Sequence, residues 1–313
     1  MHWAKIGEAG FVGGMRFLLW AHRHLGDFPF RAALFIVMLW FFATRRLARR
    51  ASLDYLRRLH RASGGTTPAP TRRNSFRHFM SFADTILDKF LAFSGELDTL
   101  PCHIEGREPL LSLMREKRGA LLVTAHLGNP ELCRRLHYSL PADCPLPRLT
   151  ILVHTRHAEG FNRMLQRLDP THAFDLMQVT SLTPATAMLL AERVAAGGFV
   201  VIAGDRIPVA SAMPDNATLA VPFLGEAAYF PIGPYVLAAA LGCPVYMLFS
   251  ARRDTDFFVG LRPLAERVVL PRKERRAAIV PYLSAYVAAL SEECRQNPLQ
   301  WFNFFPFWQA PTP

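Results

Sequence analysis

His126 follows a run of small and apolar residues at 120–125, and Glu131 stands five positions after it. The run is short enough for a buried strand. Leu127, Gly128 and Asn129 read as a turn. Asn129 suits a helix cap, and Pro130 suits the first helical position, because its missing N–H would have had no partner there. Glu131 then falls in the first helical turn, where the helix dipole favours negative charge. One strand–turn–helix unit thus holds an imidazole and a carboxylate near the carboxyl end of a strand, where open α/β sheets place their chemistry. An imidazole oriented by a fixed carboxylate is a general base. No Ser or Cys nucleophile stands in the immediate stretch, so such a base acts on a hydroxyl or amine that a substrate brings. The same spacing also fits a histidine that merely closes a strand and a glutamate that is merely solvated.

Three other places collect polar groups. The strand end VHTRH carries His154, Arg156 and His157. Its two histidines lack a further ligand set, so no metal site is expected, and Arg156 is the candidate anion-binding residue. AGDRIP (203–208) puts Asp205 and Arg206 where a strand opens into a loop. The small residues before them allow a substrate to approach; a structural ion pair fits equally. VPFLGEAAYFPIGPYVLAAALG (221–242) reads as an apolar loop leading into a helix, either lining a cavity or forming core.

The elements that position these residues alternate. Strands are expected at 119–125, 149–154, 174–179, 198–203, 244–249 and 256–262. Helices are expected at 107–117, 130–140, 158–168, 183–196, 231–241 and 272–295. That order predicts an α/β fold with a mixed, largely parallel sheet flanked by helices. Ahead of it, FPFRAALFIVMLWFFA (28–43) has an uninterrupted apolar stretch of only 12 residues, at 32–43, against the ~20 that a spanning helix needs. It reads as an embedded or interfacial helix, or alternatively as a buried core helix. Arg45, Arg46, Arg49, Arg50, Arg57, Arg58 and Arg61 follow. All-positive charge beside Trp40, Phe41 and Phe42 suits anionic headgroups on the cytoplasmic side. SGGTTPAPTRRN (63–74) reads as a boundary loop. It separates a membrane-associated helical region at 1–63 from an α/β domain at 75–313, which opens with an amphipathic helix over 75–93.

The chain has 313 residues, half of them hydrophobic, and a net charge of +11. That excludes disorder and points to a polyanionic partner such as acidic lipid, a phosphorylated substrate or an acidic carrier protein. Nucleic acid is disfavoured, because the basic residues adjoin apolar aromatic sequence and no DNA-binding motif appears. The five cysteines are scattered, which argues against a disulfide framework or a zinc site and fits a reducing compartment.

Taken together, HLGNPE, AGDRIP, the apolar block at 221–242 and the tail NPLQWFNFFPFW (297–308) resemble the late acyltransferases of lipid A biosynthesis, within the lysophospholipid acyltransferase superfamily. HLGNPE matches that family's H-x-G-N-x-E block, with Pro130 where an aromatic residue is common. The E-G-T-R block of the glycerol-phosphate branch is absent, and HTRHAEG replaces a common Tyr-Arg-Pro wording. The resemblance implies an enzyme of the bacterial inner membrane, at its cytoplasmic face. It would transfer a fatty acyl chain from a thioester, acyl carrier protein or acyl-CoA, to a hydroxyl of a lipid acceptor. His126 would be the base and Glu131 its orienting partner, with Asn129, Arg156, Asp205 and Arg206 binding substrate. Beyond the acyl thioester no cofactor is implied. A divergent subgroup acting on a lipid-linked aryl polyene-type pigment falls within the same resemblance. A thioesterase that uses His126 to activate water, or a non-catalytic membrane scaffold, are the rival classes.

Overall fold

The computed structural model describes residues 27–93, 102–129, 147–153, 174–178, 183–207, 217–254 and 256–310. The expected helices at 130–140 and 158–168 lie outside these residues. Among the described residues three helices come first: α1 (Asp27–Thr44), α2 (Arg46–Ala62) and α3 (Arg72–Phe93). A seven-stranded sheet follows, in spatial order β1-β9-β8-β2-β5-β3-β4. Its strands are β1 (Cys102–Glu105), β2 (Ala120–Thr124), β3 (Leu149–Val153), β4 (Phe174–Gln178), β5 (Phe199–Ala203), β8 (Val245–Arg253) and β9 (Asp256–Ala265). Among the described residues only the β8–β9 hairpin pairs antiparallel within it, so the fold is α/β with a mixed, mostly parallel sheet.

The period-two alternation of strand side chains explains the layering. Leu121, Val123, Val200, Met247 and Phe249 point to one face. There they meet α2, α5 (Pro184–Ala195), α6 (Gly233–Leu241) and α7 (Arg275–Gln296). Ala120, Leu122, Val201 and Leu248 point to the other face, against Leu110, Leu111 and Met114 of α4 (Arg107–Arg115). Every residue of β2 is buried, which is why it reads as one continuous apolar run.

The segment read as an apolar loop is in part a hairpin, β6 (Thr218–Phe223) and β7 (Glu226–Pro231), paired antiparallel outside the main sheet. Its two-residue connection, Leu224 and Gly225, takes positive φ at both positions, 51° and 88°, which is what a tight hairpin turn requires.

The expected boundary at 63–74 falls between two helices that pack together. The Tyr55 ring of α2 lies 5.0 Å from the Trp301 ring, and His78 of α3 bonds the Trp301 carbonyl at 3.0 Å. No helix among the described residues is long and apolar enough to cross a membrane.

Candidate active site

β2 and β5 are neighbours in parallel register, with Thr124 opposite Ala203. Two residues beyond each of these come His126 and Asp205. Strands about 4.8 Å apart carry register partners on the same face, so the sheet itself brings this imidazole and this carboxylate together. His126 Nδ1 lies 2.7 Å from Asp205 Oδ1. The His126 side chain is 35% exposed and Asp205 is fully buried.

Both oxygens of Asp205 are occupied by protein donors. Oδ2 accepts from the His126 backbone N–H at 2.9 Å, from the Trp301 indole at 3.0 Å and from the Asn303 amide at 3.1 Å. Burial pushes the Asp205 carboxyl up. The His126 imidazole, its hydrogen bonds and the nearby Arg206 outweigh burial and hold the carboxyl well below the usual carboxylate range. Because a carboxylate only accepts, His126 Nδ1 is the protonated nitrogen in the neutral ring, and Nε2 is the one that takes up a proton.

The donors come from an extended stretch stitched onto the end of β2. Phe302 N–H donates to His126 O at 2.7 Å and Gly128 N–H to Gln300 O at 2.8 Å, either side of the Leu127–Trp301 bridge. Alternation along this stretch puts Trp301 and Asn303 on the same side, towards Asp205. Gly128 has φ +59°, and a Cβ there would lie 2.0 Å from the Ser250 carbonyl oxygen; the turn after His126 therefore needs glycine. Tyr286 of α7 donates to Thr124 O at 3.0 Å, which fixes the end of β2 from below.

Arg206 is tied to the same stretch. Its Nε donates to Asn303 Oδ1 at 3.0 Å and its Nη2 to Phe302 O at 2.7 Å. Burial pulls the guanidinium down to about 10, against the raising effect of Asp205, so it stays charged at neutral pH.

Of the residues singled out from sequence, the structure joins His126 to Asp205 directly, and Asp205 to Arg206 through Asn303. Asn129 is buried in the turn that follows His126. Asp205, expected against substrate, sits behind the imidazole with both oxygens engaged. Glu131 and Arg156, like His154 and His157, lie outside the described residues. Trp301 and Asn303 were not singled out one by one. The available signal was the Trp-x-Asn spacing in an aromatic stretch that follows a long helix. Among the described residues, no group of three His, Cys, Asp or Glu side chains is placed to hold a metal ion. No family model matches this sequence, and no curated protein matches it.

Proposed function

We propose that the chain is a membrane-associated O-acyltransferase, with His126 as general base and Asp205 as the carboxylate that orients it. The observation that carries this reading is the 2.7 Å contact from His126 Nδ1 to a buried, fully engaged Asp205. It leaves Nε2 as the basic nitrogen at the carboxyl end of a central parallel strand. The resemblance of HLGNPE and the tail at 297–308 to lipid A acyltransferases supplies the reaction class.

In the proposed reaction, Nε2 takes the proton of an acceptor hydroxyl as its oxygen attacks the carbonyl carbon of an acyl thioester. The tetrahedral adduct collapses, the C–S bond breaks, and the departing thiolate takes the proton back from Nε2. The ester and the thiol are the products. Gly128 N–H is committed to Gln300, so oxyanion stabilisation falls to other groups. Arg156 is proposed to bind a phosphate of the acceptor or of the donor's phosphopantetheine arm. The orienting role is proposed for Asp205; Glu131, read from sequence as the orienting partner, lies outside the described residues and is tested beside it. The exposed apolar face of α1 and the arginines of α2 are proposed to hold the enzyme on the inner membrane, against the acceptor lipid.

The test mixes purified protein with radiolabelled acyl carrier protein thioesters and a bacterial lipid extract, with His126→Ala, Asp205→Asn and Glu131→Ala in parallel. A new acylated lipid that depends on His126 and Asp205 is the expected result, and its mass identifies the acceptor. Free fatty acid as the sole product would make the protein a thioesterase. A loss in Glu131→Ala as deep as in Asp205→Asn would return the orienting role to Glu131. Unchanged transfer in His126→Ala would end the reading.

A further inference from the structure

Residues 28–83 contain eleven arginines and one carboxylate, Asp54, so this segment carries ten of the chain's eleven net positive charges. On α2, positions 46, 49, 50 and 53 share one stripe by helical spacing, turned away from the buried Tyr55, Leu56 and Leu59. Arg46, Arg49, Arg50 and Leu53, with Arg72 from the start of α3, line a cleft of about 390 Å³. The acids nearby are used elsewhere. Asp54 pairs with Arg57 at 3.4 Å and Arg58 at 3.3 Å, and Glu226 pairs with Arg58 at 2.5 Å and Arg61 at 3.3 Å. Arg49 donates to the Ala43 carbonyl at 3.1 Å and so closes the end of α1. Among the described residues, the side chains of Arg46, Arg50 and Arg72 make no hydrogen bond, ion pair or ring contact. A converging set of uncompensated guanidinium groups is a site for a phosphate-bearing anion.

The neighbouring surface decides which anion. Phe30, Leu34 and Met38 of α1 are buried against Phe79 and Ala83 of α3. The rest of the 32–43 stretch of α1 is apolar too, yet Ile36 is 66% exposed, Leu39 48% and Trp40 58%. This face runs directly into the arginines, and Arg45 stands over the Phe41 ring at 5.4 Å. A nucleic acid would meet the charge but leave the apolar face in water. A bilayer satisfies both, with hydrocarbon under the aromatic face and headgroup phosphate at the arginines.

We infer that the Arg46–Arg49–Arg50–Arg72 cleft binds the headgroup phosphate of an anionic phospholipid while the Ile36–Trp40 face of α1 inserts beside it. This names the lipid contact of the membrane association proposed above, and rests on that association rather than on the transfer chemistry.

The full chain is sedimented with vesicles of phosphatidylcholine, alone or with added phosphatidylglycerol. The expected result is preferential binding to the anionic vesicles that weakens as salt rises. Arg46→Gln/Arg50→Gln/Arg72→Gln is expected to weaken it about tenfold or more. Arg272→Gln/Lys273→Gln/Arg275→Gln removes equal charge from another exposed stretch and is expected to change it less than about twofold. Trp40→Ser/Ile36→Ser is expected to weaken binding to both kinds of vesicle. Equal loss in the two charge variants would reduce the cleft to general attraction and overturn the site. So would release by inorganic phosphate that exceeds release by chloride at equal ionic strength, which would mark a soluble phosphate ligand. Salt-independent binding of the unmodified chain would overturn it without any variant. Vesicle binding and acyl transfer are separate readouts, so each proposal can fail alone.

Discussion

His78 and His126 both lean on the same short stretch of chain, and their partners set them apart. His126 bonds a carboxylate that in turn accepts the Trp301 indole. His78 bonds the Trp301 carbonyl through Nε2 at 3.0 Å and Ser52 through Nδ1 at 3.0 Å. Ser75 donates to Ser52 at 2.9 Å, so the Ser52 hydrogen points to His78 Nδ1 and the His78 hydrogen to the carbonyl. Every site on the His78 ring is used by a neutral partner. Burial lowers its pKa to about 4, with the Trp301 carbonyl pulling the other way. His78 is fully buried, whereas a third of the His126 side chain is open. A histidine is made reactive by an adjacent negative charge and an accessible nitrogen. Without either, it is a polar spacer that fixes backbone.

The difference is sharpest in activity. His126→Ala is expected to lower acyl transfer about 10³-fold, and Asp205→Asn about a hundredfold, whereas His78→Gln leaves transfer by the folded protein within about threefold. If His78→Gln lost as much as His126→Ala, the assignment of roles would be reversed.

The next effect is in stability against pH. The folded state disfavours protonated His78, so its contribution is complete above the ordinary value of 6.5 and is lost as pH falls towards about 4, by up to about 3 kcal/mol. Asp205, held below the usual carboxylate range, keeps its charge through that window. Chemical unfolding at pH 7 and pH 5 is expected to show a fall in stability for the unmodified chain. His78→Gln should show a shallower fall, and parallel slopes would exclude His78 as the source.

Trp301 serves both histidines, His78 through its carbonyl and His126 by way of Asp205, and Trp301→Phe keeps the His78 contact while deleting one donor to Asp205. It is expected to cost about 1–2 kcal/mol in denaturant midpoint and about tenfold in transfer. Asn303→Ala removes one amide donor and loosens Arg206. Its loss of transfer is expected to be smaller, about threefold. A larger effect from Asn303 than from Trp301 would make Arg206, rather than the carboxylate, the group that this stretch positions.

Much of this arrangement was legible locally. Six strands of the main sheet occur where apolar runs end in turns, because buried strands announce themselves by composition. β1 was missed because its four residues alternate between half-buried and exposed. The β6–β7 hairpin was missed because its turn places Leu224 at positive φ, where Asn or Gly is the usual signal. His126 was visible as a strand-end imidazole and Asp205 as a strand-end carboxylate. Their pairing was not, because it depends on β5 lying beside β2, with the chain visiting β3 and β4 in between. Residues five apart in sequence drew attention to Glu131. Residues 79 apart turned out to be in contact.

The stitch between residues 300–303 and the end of β2 also sets an order of events during synthesis. A nascent chain reaches residue 300 only after every strand of the sheet has been made. Until then Asp205 lacks the indole and the amide that hold it, Arg206 lacks its anchors, and the backbone at His126 and Gly128 lacks its last pairing. A ribosome-bound chain can therefore own a complete sheet while the His126–Asp205 pair is still unsupported, so the proposed chemistry would wait until residues 300–303 have docked.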